Sequence, residues 1–296
     1  MNKYIVLITA ILLLTPAAFA TTGYTFLEIP VGARQSALGG AGVALESGPT
    51  SAAYNPALIG LAKRSSVVLM ANRHFGDTRA QFFGATITGK RFSFSPHYWG
   101  TRVSDIEFRD APTREPISEF DAVNSALGAS VGARLTKSFA VGLTGHYLYH
   151  KIHVESSDGY AFDAGAFYRT PVKGLSVGAA VNHLGHVSEF IEDDVTLPAT
   201  VRGGATYERI ISGAGTFLVT AEGAGVKDNT PLFRGGFEFR APQFVALRLG
   251  YTEGLDTQDI SFGFGLFHSG IQIDYAYVPY KEELGEGHRF SFGMDL

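Results

Sequence analysis

From residue 65 to the end of the chain, the sequence runs in segments of about ten residues, in which bulky apolar side chains alternate with small or polar ones. In one such segment, Phe139, Val141 and Leu143 share a parity, and the residues between them are small. A period of two is that of a β-strand, because successive side chains point to opposite faces of a sheet. The 36 glycines and 12% aromatic residues also favour strands over helices. The sequence therefore predicts an all-β fold.

The second face of these strands carries charges of both signs. A barrel interior can pair such charges, whereas an Arg or Lys facing lipid at mid-membrane costs about 2–4 kcal/mol. We therefore predict a transmembrane β-barrel whose bulky apolar face looks outward and whose polar face lines the lumen. A water-soluble sandwich with its charged face in solvent is the alternative. The predicted lumen residues are Arg134, Asp163, Arg202, Glu222, Arg234, Glu238, Arg248 and Asp274.

The connections between the predicted strands alternate in length. Short ones, such as 136–138 and 171–174, are followed by longer ones, such as 185–198 and 252–259. Outer-membrane barrels show this asymmetry, with short periplasmic turns and longer extracellular loops. We assign residues 65–296 to the barrel.

Residues 1–20 have the pattern of a secretory signal. Lys3 precedes an uncharged apolar run, and Ala18-Phe19-Ala20 has the small residues of a cleavage site. The run is about half the ~20 residues that a membrane-spanning helix needs. We expect cleavage near Ala20, and integral insertion in the bacterial outer membrane, with membrane lipid and lipopolysaccharide as neighbours.

Several classes of function are disfavoured. The absence of cysteine excludes disulfides and thiolate chemistry, and a net charge of −4 argues against nucleic acid as a partner. His146 and His150 lie about 13 Å apart along one strand, too far to bind one metal. No Gly-x-Ser-x-Gly elbow precedes a helix. We therefore predict no enzyme activity, no metal and no cofactor, and we read the acidic run 192–194 as a solvated loop, with cation binding as its alternative.

Residues 21–64 break the strand pattern and are rich in Ala and Gly. Short helical turns packed inside a lumen need small side chains, because Cβ bulk limits backbone approach. We predict that this segment is an N-terminal plug or hatch, and a mobile periplasmic tail is the alternative. The residues we single out in it are Arg34, Gly39, Gly40, Asn55, Pro56 and Ala57.

The runs 26–34, 37–41 and 53–57 carry a family resemblance. They read FLEIPVGAR, ALGGA and AYNPA, and they resemble the N-terminal signature of the PorV/PorQ family of FadL-like outer-membrane barrels. The resemblance implies a barrel of about fourteen strands with an N-terminal hatch. It also implies a role in or beside type IX protein secretion, with secretion-system proteins or secreted cargo as partners. Because FadL relatives carry hydrophobic compounds across the outer membrane, transport of hydrophobic small molecules is the alternative function.

Pro96 interrupts an otherwise regular strand sequence, Arg91 to Tyr98. Proline lacks the N–H that a β-ladder needs, so it is confined to edges and bulges, and a closed barrel has no edges. We predict a kink at Pro96 that opens the wall beside the plug. A harmless bulge near the strand end is the alternative.

Overall fold

A computed structural model describes residues 24–74, 76–109, 114–188, 195–226, 229–242 and 244–296. The predicted signal and the acidic run 192–194 lie outside these ranges. Within the described ranges, fourteen antiparallel strands pair in chain order, and β1 pairs with β14 to close a single barrel. The strands are β1 (Ser66–Arg73), β2 (Arg79–Thr88), β3 (Phe92–Phe108), β4 (Ser118–Arg134), β5 (Phe139–Ile152), β6 (Glu155–Arg169), β7 (Leu175–Val187), β8 (Thr200–Ile211), β9 (Gly215–Val226), β10 (Leu232–Arg240), β11 (Val245–Glu253), β12 (Ile260–His268), β13 (Ile271–Pro279) and β14 (Glu286–Asp295).

The closed barrel confirms the all-β prediction and excludes the sandwich alternative. The closing seam runs from Ser66 opposite Asp295 to Arg73 opposite His288 without a register shift. In the described part of the chain, no helix is long and apolar enough to cross a bilayer.

The alternation of side chains sorts the two faces of the wall as the sequence predicts. On β11, the outward Leu249 is 49% exposed, whereas the neighbouring Arg248 is 4% exposed and points into the lumen. The outer surface is covered with large apolar side chains, including Leu143 and Phe264. This surface matches the apolar band that a membrane barrel presents to lipid.

The two ends of the barrel differ in their connections. At one end the strands are joined by short turns, such as those between β4 and β5 and between β12 and β13. At the other end most connections are longer, although β5 and β6 are joined by His153 and Val154 alone. We call these the short-turn end and the long-loop end, and the asymmetry assigns them to the periplasm and the cell exterior.

Residues 24–64, the N-terminal segment, lie within the barrel. The segment contains one short α-helix, α1 (Ala33–Ser36), and three 3₁₀ segments, Thr25–Glu28, Gly48–Ala53 and Pro56–Leu61. Nearly all residues from 31 to 45 are buried, and inward-facing side chains of the strands bind their backbone. The segment enters β1 at the short-turn end, and Tyr24 reaches Ser157 near the long-loop end.

Candidate functional site in the barrel lumen

Glu222 on β9 ties the wall to the backbone of the N-terminal segment. One carboxylate oxygen accepts the N–H groups of Gly42 and Val43 at 2.8 and 2.9 Å. The other accepts Arg202 at 3.0 Å and Arg234 at 3.1 Å. All three side chains are buried, so the carboxylate holds the segment and neutralises part of the arginine charge at the same time.

A second ionic group surrounds Glu238 on β10. Arg34 of α1 donates two hydrogen bonds of 2.8 Å to its two carboxylate oxygens, in a bidentate arrangement. Arg248 also donates to Glu238 at 2.6 Å and lies 2.8 Å from Asp274 on β13. Arg240 completes the group at 3.1 Å. The predicted plug residue Arg34 thus meets three of the predicted lumen residues in one network.

Gly39 and Gly40 have backbone conformations that favour glycine, with φ values of +69° and +79°. A Cβ on Gly39 would lie 2.4 Å from the carbonyl oxygen of Tyr251. The chain can therefore turn against β11 only where the side chain is absent.

The Asn55-Pro56-Ala57 motif starts a 3₁₀ segment and fixes it to the wall. The Asn55 side-chain oxygen accepts the Ala57 N–H, and its amide donates to the carbonyls of Val43 and Ala166. Glycine makes the recess that receives this motif, because a Cβ at Gly165 would lie 2.0 Å from the Asn55 side-chain oxygen.

The two halves of the lumen wall differ in chemistry. Buried arginines and carboxylates concentrate on β8–β14, whereas β1–β7 contribute a buried apolar cluster. Each of these seven strands supplies at least one member, and the N-terminal segment and Leu197 supply the others. The strand members are Val68, Met70, Ala80, Phe82, Trp99, Ala126, Leu148, Ala161 and Val187.

Aromatic side chains of the N-terminal segment cover this apolar wall. Tyr24 and Phe26 belong to the same cluster, and the Trp99 indole donates a 3.1 Å hydrogen bond to the Phe26 carbonyl. The cluster extends from Leu197 at the long-loop end to Val68, which pairs with Gly84 on β2. It therefore forms an apolar surface along one side of the lumen.

Asp163 lies in a histidine group rather than among the arginines. One carboxylate oxygen of Asp163 lies 2.9 Å from Nε2 of the His146 ring. The other accepts a 2.8 Å hydrogen bond from the backbone N–H of His183. A β-bulge sets Asn182 and His183 together opposite Asp163, so both are buried. The His97 ring lies 5.4 Å from that of His146. Among the described residues, no three metal-ligating side chains are arranged to hold an ion.

Arg134 has the inward parity but does not join the lumen network. It is the last residue of β4 and donates to the Lys90 carbonyl at the short-turn rim, at 2.7 Å and exposed to solvent. The parity of a strand gives the face of a residue and not its depth. The predicted position of Arg134 in the lumen is therefore wrong, because Arg134 lies at the rim of the barrel.

Pro96 lies inside β3, which is longer than the strand we predicted. The ladder with β4 is continuous through Pro96 and Ala129. On the other side, pairing with β2 stops after Gly84 and His97 and resumes in the same register at Ile87. The interruption therefore affects only the β2 side. Thr86 and Ser95 bridge it inside the lumen with a 3.2 Å hydroxyl contact.

His74 and Tyr280 meet above the strands at the long-loop end. Their rings are perpendicular, with centroids 5.1 Å apart, and the Tyr280 hydroxyl is hydrogen-bonded to the His74 ring. Burial, reinforced by the positive charge of Arg289, lowers the pKa of the His74 imidazole to about 3. The His74 imidazole in this contact is therefore the neutral form.

Comparison with solved structures identifies the architecture. The CymD monoaromatic hydrocarbon channel superposes with a TM-score of 0.68 at 12% identity, over 90% of this chain and 98% of that one. The fold is that of FadL-like outer-membrane barrels. The toluene transporter TbuX of Ralstonia pickettii gives 0.62 at 13% identity, and a FadL homologue of Pseudomonas aeruginosa gives 0.55 at 12%; both alignments cover 90% of this chain and 98% of theirs.

No family model and no curated protein matches the sequence. The FadL-like barrel fold agrees with the coarser part of the resemblance described above. Nothing in these comparisons supports the finer resemblance to the PorV/PorQ family or to secretion components.

Two buried residues of the lumen were not among the predicted site residues. His97 and Arg289 take part in buried contacts, and Arg289 donates to the Ser36 hydroxyl at 2.6 Å. Arg289 has the inward parity of β14, but its contact in α1 is 253 residues away in the chain. Only the register of the closed barrel brings the two together.

Proposed function

We propose that this barrel carries small hydrophobic molecules across the outer membrane, with the N-terminal segment as its hatch. The observation that carries the proposal is the buried apolar cluster along β1–β7. Lumens that conduct hydrophilic solutes are polar and filled with water. An apolar surface inside the barrel instead favours an apolar solute, whose free energy falls when it leaves water.

The interruption between β2 and β3 supports a lateral exit. It lies directly beyond Gly84, the strand partner of Val68 at the end of the apolar cluster. A Cβ at Gly84 would lie 3.1 Å from Pro49, so the N-terminal segment borders the same place. In this proposal a solute follows the cluster to the interruption and leaves into the bilayer.

The barrels of similar fold are named as channels and transporters, which supports transport rather than catalysis. The secretion role that the N-terminal resemblance implies gains no support from them. No contact in the described part of the chain favours protein cargo over a small solute. We therefore prefer the small-molecule function.

Trp99 offers a direct test, because it is the only tryptophan in the chain and belongs to the apolar cluster. We expect toluene to shift the Trp99 emission of the folded protein in detergent in a saturable way. Cells whose outer membrane carries the barrel should also take up toluene faster than cells that lack it. An unchanged emission spectrum together with equal uptake rates would refute the proposal.

Phe82→Ser is the informative variant, because Phe82 is buried in the cluster. We expect it to weaken the emission change and the uptake at least tenfold. Phe264→Ser is the matched control, since Phe264 lies on the outward face of β12 and should leave both signals unchanged.

A further inference from the structure

Three arginines form a row on the outer surface at the long-loop end. Arg73 of β1 pairs directly with Arg79 of β2, and Arg79 pairs with Arg102 of β3. All three have the outward parity and are exposed. In the same register, Lys151 lies two strands beyond Arg102 and His288 lies one strand before Arg73.

Like charges directly opposite each other on a sheet destabilise it. Arg73 contacts Asp77 at 3.4 Å, and Arg102 contacts Asp121, but these pairs are exposed, with 73% and 60% of the arginine side chains accessible. Exposed pairs contribute only about 0–1 kcal/mol. Arg79, between them, makes no ion pair with any described residue. The row is therefore suited to an external anion.

An apolar groove lies on the same strands, nearer the middle of the barrel. Its volume is about 520 Å³. Ala71 and Gln81 line its edge toward the arginines, two residues along their strands from Arg73 and Arg79. The large outward side chains that line it are Leu69, Phe83, Tyr98, Ile273, Phe290 and Phe292.

The groove and the arginine row are connected by Tyr98. A Cβ at Gly100 would lie 2.4 Å from the Tyr98 hydroxyl, so this hydroxyl extends over Gly100 toward Arg102. A tyrosine with an apolar ring and a polar tip is typical of the membrane interface. At about 3.3 Å per residue, Leu69 lies roughly 13 Å along β1 from Arg73.

We propose that this face, formed by β13, β14, β1, β2 and β3, is a docking site for lipid A of the outer leaflet. Guanidinium groups bind phosphate in a bidentate manner, so the row of arginines receives the lipid phosphates. The groove receives an acyl chain. A free phosphate would use only the row, and a neutral lipid or detergent only the groove.

The test uses the full barrel folded in detergent and synthetic bisphosphorylated lipid A, with binding measured by native mass spectrometry. Replacement of Arg73, Arg79 and Arg102 together by Gln should weaken binding at least tenfold. Arg209→Gln is the matched control, because Arg209 is outward and exposed at the short-turn end of β8, and it should bind as the unaltered protein does. Heat-modifiable mobility verifies that each variant is folded, and Arg79→Gln alone provides a milder change.

Two further measurements distinguish lipid A from a free phosphate and from a neutral lipid. Phe83→Ala should weaken lipid A binding, and millimolar inorganic phosphate should not displace the lipid. Equal binding of lipid A from which both phosphates have been removed would overturn the proposal. Unchanged affinity in the triple variant, or full displacement by inorganic phosphate, would overturn it as well.

Discussion

At the scale of single residues, a few carboxylates hold the lumen together. Glu222 and Glu238 each accept from two or more arginines, and each also binds the N-terminal segment, one through backbone amides and the other through Arg34. Parity predicted that Glu222 and Glu238 face the lumen. It could not predict their partners, because a cross-strand contact depends on register, which the turn type and loop length fix and which parity alone does not give.

Glu222→Gln should loosen the N-terminal segment without opening the barrel. The change removes the charge shared by Arg202 and Arg234 and weakens the acceptor for Gly42 and Val43. Breaking a buried ion pair in this way costs about 3–5 kcal/mol. Hydrogen exchange of the Gly42 and Val43 amides should become at least tenfold faster.

Glu119→Gln provides the control for that experiment, because Glu119 is exposed on β4. Equal exchange rates in the two variants would show that Glu222 does not anchor the segment.

The His74 contact should make stability depend on pH. The folded protein keeps His74 neutral down to a pKa of about 3, whereas an unfolded histidine takes up a proton near pH 6.5. The contribution of His74 is therefore complete above pH 6.5 and is lost as the pH falls from 6.5 toward 3, by at most about 1.4 kcal/mol per pH unit. The urea midpoint should fall between pH 7 and pH 4.5, and His74→Gln should reduce that fall. The same pH dependence in the variant would contradict this assignment.

At the scale of elements, the strands were predictable and their irregularities were not. Alternation located the faces of β11 and β12 because one face is bulky throughout. It did not show the bulge at Asn182 and His183, which inverts the parity of the rest of β7, because Leu184 to Val187 do not alternate clearly between bulky and small side chains. Pro96 predicted an interruption of the β-ladder, but the sequence does not show which neighbouring strand loses its backbone pairs.

Pro96→Val should restore pairing between β2 and β3, since valine supplies the N–H that proline lacks. We expect toluene uptake by cells that produce the variant to fall several-fold relative to cells that produce the original barrel, while insertion and heat-modifiable mobility stay unchanged. Ala129→Val is the control, because Ala129 faces Pro96 across the intact ladder with β4. If Pro96→Val admits toluene at the original rate, the interruption is not the exit.

At the scale of the whole molecule, the barrel and the N-terminal segment are complementary surfaces. The segment covers the apolar cluster of β1–β7 and also satisfies buried charges of β8–β14. The small residues of the segment predicted close packing inside a lumen. Its path could not be predicted, because each turn is fixed by contacts with strands far away in the chain.

Deletion of residues 24–62 should convert the barrel into an open pore. The strands pair with one another and not with the segment, so the wall should still close, and water can solvate the exposed lumen charges. Planar-bilayer recordings should show ion conductance that the intact protein lacks. A deletion variant that folds and remains non-conducting would show that the segment is not the barrier.

The closing seam also constrains how the molecule is assembled. The first strand to be synthesised is β1, and its partner β14 is the last, so the wall stays open until the whole chain is present. The N-terminal segment precedes β1 and lies inside the finished wall, from the short-turn end up to Tyr24 beside Ser157. The sheet can therefore close around the segment only if the segment lies on its inner face before β1 and β14 pair. The moment at which β1 pairs with β14 therefore decides whether the segment ends inside the barrel or outside it.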